Sequence, residues 1–390
     1  MKKFILISKD AMCKDYLPIY GNTYFKTPNI DALAEKGTVF MNHYTSAPST
    51  VMSFQGVITG VWAHDTSIEN YSRSHDVYNG TTMFDRLIEI GYDPHIVWDK
   101  FWDVLLEYVD CYHAVTIHSL SDIRQGVGAH YVHNGFLKED SQKEAIAFNN
   151  IENEIQKILA ATENPFIWLH LPHVIAGKVA YGSDMELFDR YVGMIRKYFP
   201  DDCIAITADH GNMNGHKGKI SYGHDVYNAS ASIPLITPRI NESHRWDKNT
   251  TNIDLFDILF NKTIPERKFV YCDSAYCAQP NRKTAIIQGK FKYIYNKKTK
   301  KEELYDLVFD PNEEFSLMED FVYDVDRKVM APSRELYFYP WWDELVKVRE
   351  DLRAEKRRIW KEGSASVVMK MKIKDMLRPI YFKMTMKKMK

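Results

Sequence analysis

The stretch FILISKD, residues 4 to 10, frames the reading of the whole chain. Phe4 to Ser8 is a mainly apolar run of strand length, and it gives out at Lys9 and Asp10. Two more runs of this kind follow: PFIWLH at 165 to 170, and CIAIT at 203 to 207, the latter leading to Asp209 and His210. Apolar runs without alternation read as strands covered on both faces, in a mostly parallel sheet. Helical patterns lie between them. NIDALAEK, 29 to 36, opens after Pro28, and TMFDRLIEI, 82 to 90, stops at Gly91. Strands alternating with helices predict an α/β fold, in which ligands gather at the carboxyl ends of the strands. Asp10 and the Asp209–His210 pair both fall at such ends although they are far apart in sequence. Carboxylates and an imidazole brought together there are a donor set for one divalent ion: Mn²⁺, Zn²⁺, Mg²⁺ or Ca²⁺. Taken singly, an Asp after a strand serves equally well as a turn former or helix cap.

Composition narrows the class. The chain has 390 residues, 45% of them hydrophobic, enough for a large domain and a smaller one. A formal net charge of −1 gives no reason to expect a nucleic-acid partner. Cys13, Cys111, Cys203, Cys272 and Cys277 are scattered and form no CxxC pair, which fits reduced thiols. The apolar run after MKK is too short for a signal-peptide core, and no run of 18 apolar residues exists, so the expected location is cytoplasmic.

Several segments resemble the sulfatase family of the alkaline-phosphatase superfamily, in the family's order. KTPNIDALAEKGTVF (26–40) resembles its TPN-[IL]-D-x-L-A segment, YTSAPSTVMSFQGVITG (44–60) its nucleophile turn and helix, and TMFDRLIEIGY (82–92) its helix before a GY strand. TADHG (207–211), IPLI (233–236) and ELYDLVFDP (303–311) resemble its T-S-D-H-G, V-P-L-I and E-L-Y-D-L-x-x-D-P. The resemblance runs from residue 4 to about 318. It implies a mostly parallel central sheet flanked by helices and a small C-terminal antiparallel subdomain.

Laid without gaps on the family's Y-T-x-A-P-x-C-x-P-S-R…T-G, the reactive Cys falls on Thr50, the Pro on Met52 and the Arg on Phe54. The signal for conversion to formylglycine is therefore absent. Ser46 offers a competing alignment through S-A-P-S-T but is four residues out of register, and Ser49 is a neighbouring hydroxyl that, like Thr50, would also suit a helix N-cap. Thr at this place resembles the phosphodiesterases, phosphonate hydrolases and phosphotransferases of the superfamily. A Thr hydroxyl needs activation, which a bound metal ion and a helix N-terminus would supply.

The resemblance implies a metal site of Asp10, Thr50, Asp209 and His210, with Lys9 standing where the family has a second Asp. It also implies substrate contacts. His173 matches the second His of H-x-P-H, His224 falls where relatives place a Lys or His, and Lys100 lies one residue from the family's G-K-W-H lysine. His216 and Lys219, in GNMNGHKGK, are further candidates, while Asp189 reads as helix packing. The expected organisation is a catalytic domain over 1–265, a small subdomain over 266–330, and a helical, basic tail over 331–390. Its end, MKMKIKDMLRPIYFKMTMKKMK (369–390), carries eight Lys or Arg and six Met, which suits an anionic membrane surface, an oligomer contact or a solvated tail. The expected activity is cleavage of a phosphoester (diester, phosphonate or monoester) by hydrolysis or transfer through a covalent Thr50 intermediate. The alternatives are a sulfatase acting on a sulfated glycan or small molecule, and an inactive protein that binds anionic glycans.

Overall fold

The computed structural model describes residues 2–62, 64–65, 78–121, 123, 131–133, 136–138, 141–172, 178–240, 242–274, 282–318, 321–324, 329–332 and 342–362. Its centre is an eight-stranded sheet. The strands are β1 (Phe4–Lys9), β2 (Thr38–Phe40), β3 (Asp93–Asp99), β4 (Thr116–Leu120), β5 (Pro165–Leu171), β6 (Ile204–Ala208), β7 (Leu235–Thr237) and β8 (Arg245–Trp246). Their spatial order is β8-β2-β7-β6-β1-β5-β3-β4, and β7 alone runs against the others.

Strand parity divides the core. Ile5 and Ile7 face α4 (Ser141–Ala161) and α5 (Lys178–Ile195), packing with Ile151, Ile155, Phe188 and Val192. Phe4 and Leu6 face α2 (Thr50–Thr59) and α3 (Met83–Glu89), packing with Phe54, Ile58, Phe84 and Leu87. β1 and β5 lie mid-sheet and are covered on both faces, which explains their unbroken apolar runs. Thr82 and Asp85 form the capping box that opens α3. α1 (Pro28–Lys36) has Pro at its first turn, and Asp189 accepts the Asn29 and Ile30 N–H groups there, the packing role expected of it.

A second sheet is antiparallel: β9 (Val270–Ser274), β10 (Lys283–Gln288), β11 (Phe291–Asn296) and β12 (Glu302–Asp306). Gly289, at φ +56°, supplies the left-handed residue of the β10–β11 turn. The helix α6 (Trp342–Glu362) packs Leu345, Val348 and Leu352 into the core of this sheet. No helix among the described residues is long and apolar enough to cross a membrane. The basic tail at 369–390 lies outside the described residues.

Candidate active site

β1 and β6 are parallel neighbours with Lys9 opposite Ala208, so the residues that follow, Asp10 and Asp209, emerge side by side. Asp209 is fixed by the backbone: its Oδ1 accepts the N–H of Ala11 at 2.9 Å and of His210 at 2.7 Å. Its Oδ2 is buried and receives no hydrogen bond from the described residues. His210 Nδ1 donates to the Gly211 carbonyl at 2.8 Å, which leaves a lone pair on Nε2 in the neutral ring. That Nε2 lies 3.3 Å from Asp209 Oδ2 and 3.6 Å from Asp10 Oδ1.

The third side comes from α2. Ser49 is its N-cap and Thr50 its first residue, both almost fully buried. Thr50 Oγ1 lies 3.2 Å from His210 Nε2. The helix is held in place one turn further on, where Ser53 Oγ donates to the Asp209 carbonyl at 2.6 Å and accepts from Asn252 Nδ2 at 2.9 Å. Gly60, at φ +69°, closes the helix. Two carboxylates, an imidazole lone pair and a hydroxyl, all buried, thus converge. Among the described residues, Asp10, Asp209 and His210 form a group whose ligand atoms all lie within 4.8 Å of one another. Facing lone pairs at such distances repel unless a cation lies between them, and this oxygen-and-nitrogen set fits a divalent ion.

Other expectations land elsewhere. Ser46 packs against the second turn of α2, where a Cβ on Gly56 would come within 2.3 Å of its Oγ. Its N–H donates to Asn252 and its carbonyl accepts from Asp273. Phe54, in the place of the family's Arg, is buried edge-on to Trp168 and His170 and stacked on Trp98. Lys9 points to the opposite face of the sheet, as parity requires, and pairs with Asp184 of α5 at 2.5 Å. Lys100 is exposed and, among the described residues, makes no hydrogen bond or ion pair with the four convergent residues. His216 packs its ring on Tyr227, and burial lowers its pKa. Lys219 and Lys283 clamp the buried Asp225. His224, beside Asp225, is half-buried in the same loop, residues 211–227. His173 lies outside the described residues.

Two side chains at the site escaped the sequence reading. The Tyr222 ring covers His210, with centroids 4.5 Å apart and planes inclined by 32°. His170, on β5, is fully buried beside Ser8, its partner in the strand register. Burial lowers its pKa, against the upward pull of Asp209 and Asp10. Strand alternation was the one signal for His170, and it does not say which face of β5 meets the site. Tyr222 had none.

A protein-family model described as Sulfatase matches residues 2–105. The arylsulfatase of Clostridium perfringens (strain 13 / Type A) is 28% identical over 153 residues, covering 38% of this chain and 27% of the relative. The choline-sulfatase of Rhizobium meliloti (strain 1021) is 24% identical over 279 residues, covering 64% of this chain and 49% of the relative. The chain thus spans no more than about half the length of these curated relatives. Among solved structures, a 2-O GAG sulfatase superposes with a TM-score of 0.66 at 16% identity, covering 92% of each chain. The phosphonate monoester hydrolase of Agrobacterium radiobacter gives 0.61 at 16% identity, covering 90% of this chain and 95% of that one.

Proposed function

We propose that this sulfatase-like chain of the alkaline-phosphatase superfamily is a metal-dependent ester hydrolase or transferase that attacks phosphorus esters through Thr50. The observation that carries the reading is the Thr50 hydroxyl at the first turn of α2, 3.2 Å from His210 and beside two converging carboxylates. Asp10, Asp209 and His210, with Thr50, would hold the ion, which when bound supplies Lewis acidity and lowers the pKa of a coordinated hydroxyl.

The chain's own residues account for the rest. Thr50 Oγ1, its proton lost to solvent, forms the new bond to phosphorus, and the bond to the leaving oxygen breaks. The leaving oxygen takes a proton, for which the half-buried His224 is the proposed donor. Water then attacks the phosphothreonine, restoring the Thr50 hydroxyl and releasing the phosphate or phosphonate. If an alcohol attacks instead, the product is a new ester. Backbone N–H groups at the start of α2 favour the anionic group being transferred. Thr, unlike formylglycine, has no exit through collapse to an aldehyde, so the second attack at phosphorus is required. Phosphorus esters are therefore preferred over sulfates.

The second reading is a sulfuric ester hydrolase, favoured by the names of both curated relatives. Its substrate, like that of the first, is an anionic ester, and a glycan-linked one suits both. Turnover of nitrophenyl phosphodiester, phosphonate and sulfate with Mn²⁺ separates them, alongside Thr50→Val and mass spectrometry of residues 44–60. The expected result is unmodified Thr50, faster turnover of a phosphorus ester by about 10²-fold, and a loss of roughly 10³-fold or more in Thr50→Val. A sulfate cleaved fastest would establish the second reading. Thr50→Val within a few-fold of wild type would remove the nucleophile assignment from both.

A further inference from the structure

The two buried histidines next to the carboxylates present opposite faces to the site. His210 gives Nδ1–H to the Gly211 carbonyl, so its Nε2 carries a lone pair and can ligate. His170 is bonded the other way round. Trp168 Nε1, a donor only, gives its hydrogen to Ser8 Oγ at 2.8 Å. Ser8 Oγ lies 2.8 Å from His170 Nδ1, and among the described residues the Ser8 hydroxyl hydrogen has no other acceptor. Ser8 therefore donates to Nδ1, and the neutral His170 ring carries its hydrogen on Nε2. This atom is buried and has no hydrogen-bond partner among the described residues. Leaving such a donor unmatched costs about 1–3 kcal/mol.

Its position says what it is for. His170 stands level with Ser8, and the next rung is closed by Asp10 N–H donating to the Leu171 carbonyl at 2.8 Å. The ring is held edge-on by Phe54, one turn along α2 from Thr50, and by Trp102, at centroid distances of 4.7 and 5.4 Å. With two walls aromatic and one edge tied to Ser8, the ring has no freedom to turn Nε2 elsewhere. Asp209 and Asp10 both act on its charge.

We infer that His170 is a positioning residue that donates Nε2–H to an oxygen of the metal site, a carboxylate or a bound water, and so holds the ligand set in its ion-binding arrangement. The Trp168–Ser8–His170 chain sets the tautomer, and Phe54 with Trp102 sets the ring plane. The replacement of the family's Arg by Phe54 thus has a local use: an apolar wall for this imidazole. The inference rests on the metal-site reading proposed above.

The test is Mn²⁺ binding, measured by calorimetry on the full chain freed of metal with EDTA. His170→Phe keeps the aromatic packing and loses the donor; His170→Gln returns an N–H at about the same reach. The expected result is a 10- to 100-fold weaker Kd in His170→Phe, with most of the loss recovered in His170→Gln. Melting in EDTA reports whether each variant folds. In the wild type, ¹⁵N NMR should show His170 protonated on Nε2 alone, a readout that needs no variant. Affinity of His170→Phe within three-fold of wild type, equal losses in both folded variants, or an Nδ1–H tautomer would overturn the inference. A wild type that binds no Mn²⁺, Zn²⁺, Mg²⁺ or Ca²⁺ would instead overturn the metal-site reading, and with it this one.

Discussion

Lys9→Met asks whether the cation that replaces the family's second Asp belongs to the site or to the core. Lys9 Nζ lies 2.5 Å from Asp184 Oδ2, and both side chains are 1% exposed. At an effective dielectric of about 20 the attraction at that separation is about 7 kcal/mol, most of it offset by the cost of taking both charges out of water. Removing the cation takes the Lys9 charge away from the buried Asp184 carboxylate, so Lys9→Met should cost about 3–5 kcal/mol. Lys9→Met with Asp184→Leu removes both charges and should lie within about 2 kcal/mol of wild type, or above it. With Asp184→Leu costing a similar 3–5 kcal/mol, the coupling energy is then about 4–10 kcal/mol. Urea unfolding in EDTA, with the m-value checked for each variant, measures all four corners without a metal contribution. Lys9→Asp, which restores the family's carboxylate, should lose stability and gain no Mn²⁺ affinity, because residue 9 faces α5. Lys9→Met within about 1 kcal/mol of wild type, or a tighter Mn²⁺ site in Lys9→Asp, would refute the reasoning.

Asp209→Asn and His210→Ala should each lower bound Mn²⁺ from one ion per chain to well below one in elemental analysis after dialysis, since both contribute to a single ligand cluster. Ser46→Ala should keep wild-type turnover within a few-fold, as its hydroxyl packs against Gly56 and not against His210. Glu302 sits among Lys356, Tyr293 and Arg353; burial pushes its pKa up, but these three partners outweigh it and hold the value down at about 2, from an ordinary 4.5. A depressed carboxyl contributes stability that is present above pH 4.5 and lost as pH falls towards 2. The side chain is partly exposed, so after screening the contribution is about 1–2 kcal/mol, and the stability gap between wild type and Glu302→Gln should shrink by that amount from pH 5 to pH 2.5 in urea titrations.

What the sequence discloses depends on how many neighbours a residue needs to declare its role. FILIS and PFIWLH are readable because a strand covered on both faces must be apolar throughout, and β1 and β5 are such strands. The edge is not readable: β8 has two residues, Arg245 and Trp246, and a strand that short has no period to detect. KTAIIQGKFKYIY shows its alternation and its turn glycine, so the β10–β11 hairpin could be expected. That α6 packs against this sheet could not, since Leu345, Val348 and Leu352 mark an apolar helix face without naming what covers it.

The site follows the same logic, with one added step. Asp10, Asp209 and His210 are marked by their places at strand ends, and Thr50 by a register counted back from Thr59 and Gly60. All four can be found in one dimension. Lys9 and His170 cannot, because their roles depend on which face of the sheet each residue meets. A single step along β1 separates Asp10, in the site, from Lys9, paired with Asp184 behind it. Read as an aligned pair, Lys9 looks like a lost ligand. Read by the pleat, it is a core ion pair on the α5 side, and the side chain that joins Asp10, Asp209 and His210 is Thr50, its hydroxyl 3.2 Å from His210 Nε2. Ser8, one step before Lys9, returns to the site face and bonds His170. Parity therefore places Lys9 in the core behind the sheet, and Ser8 with His170 on the face that Asp10 shares.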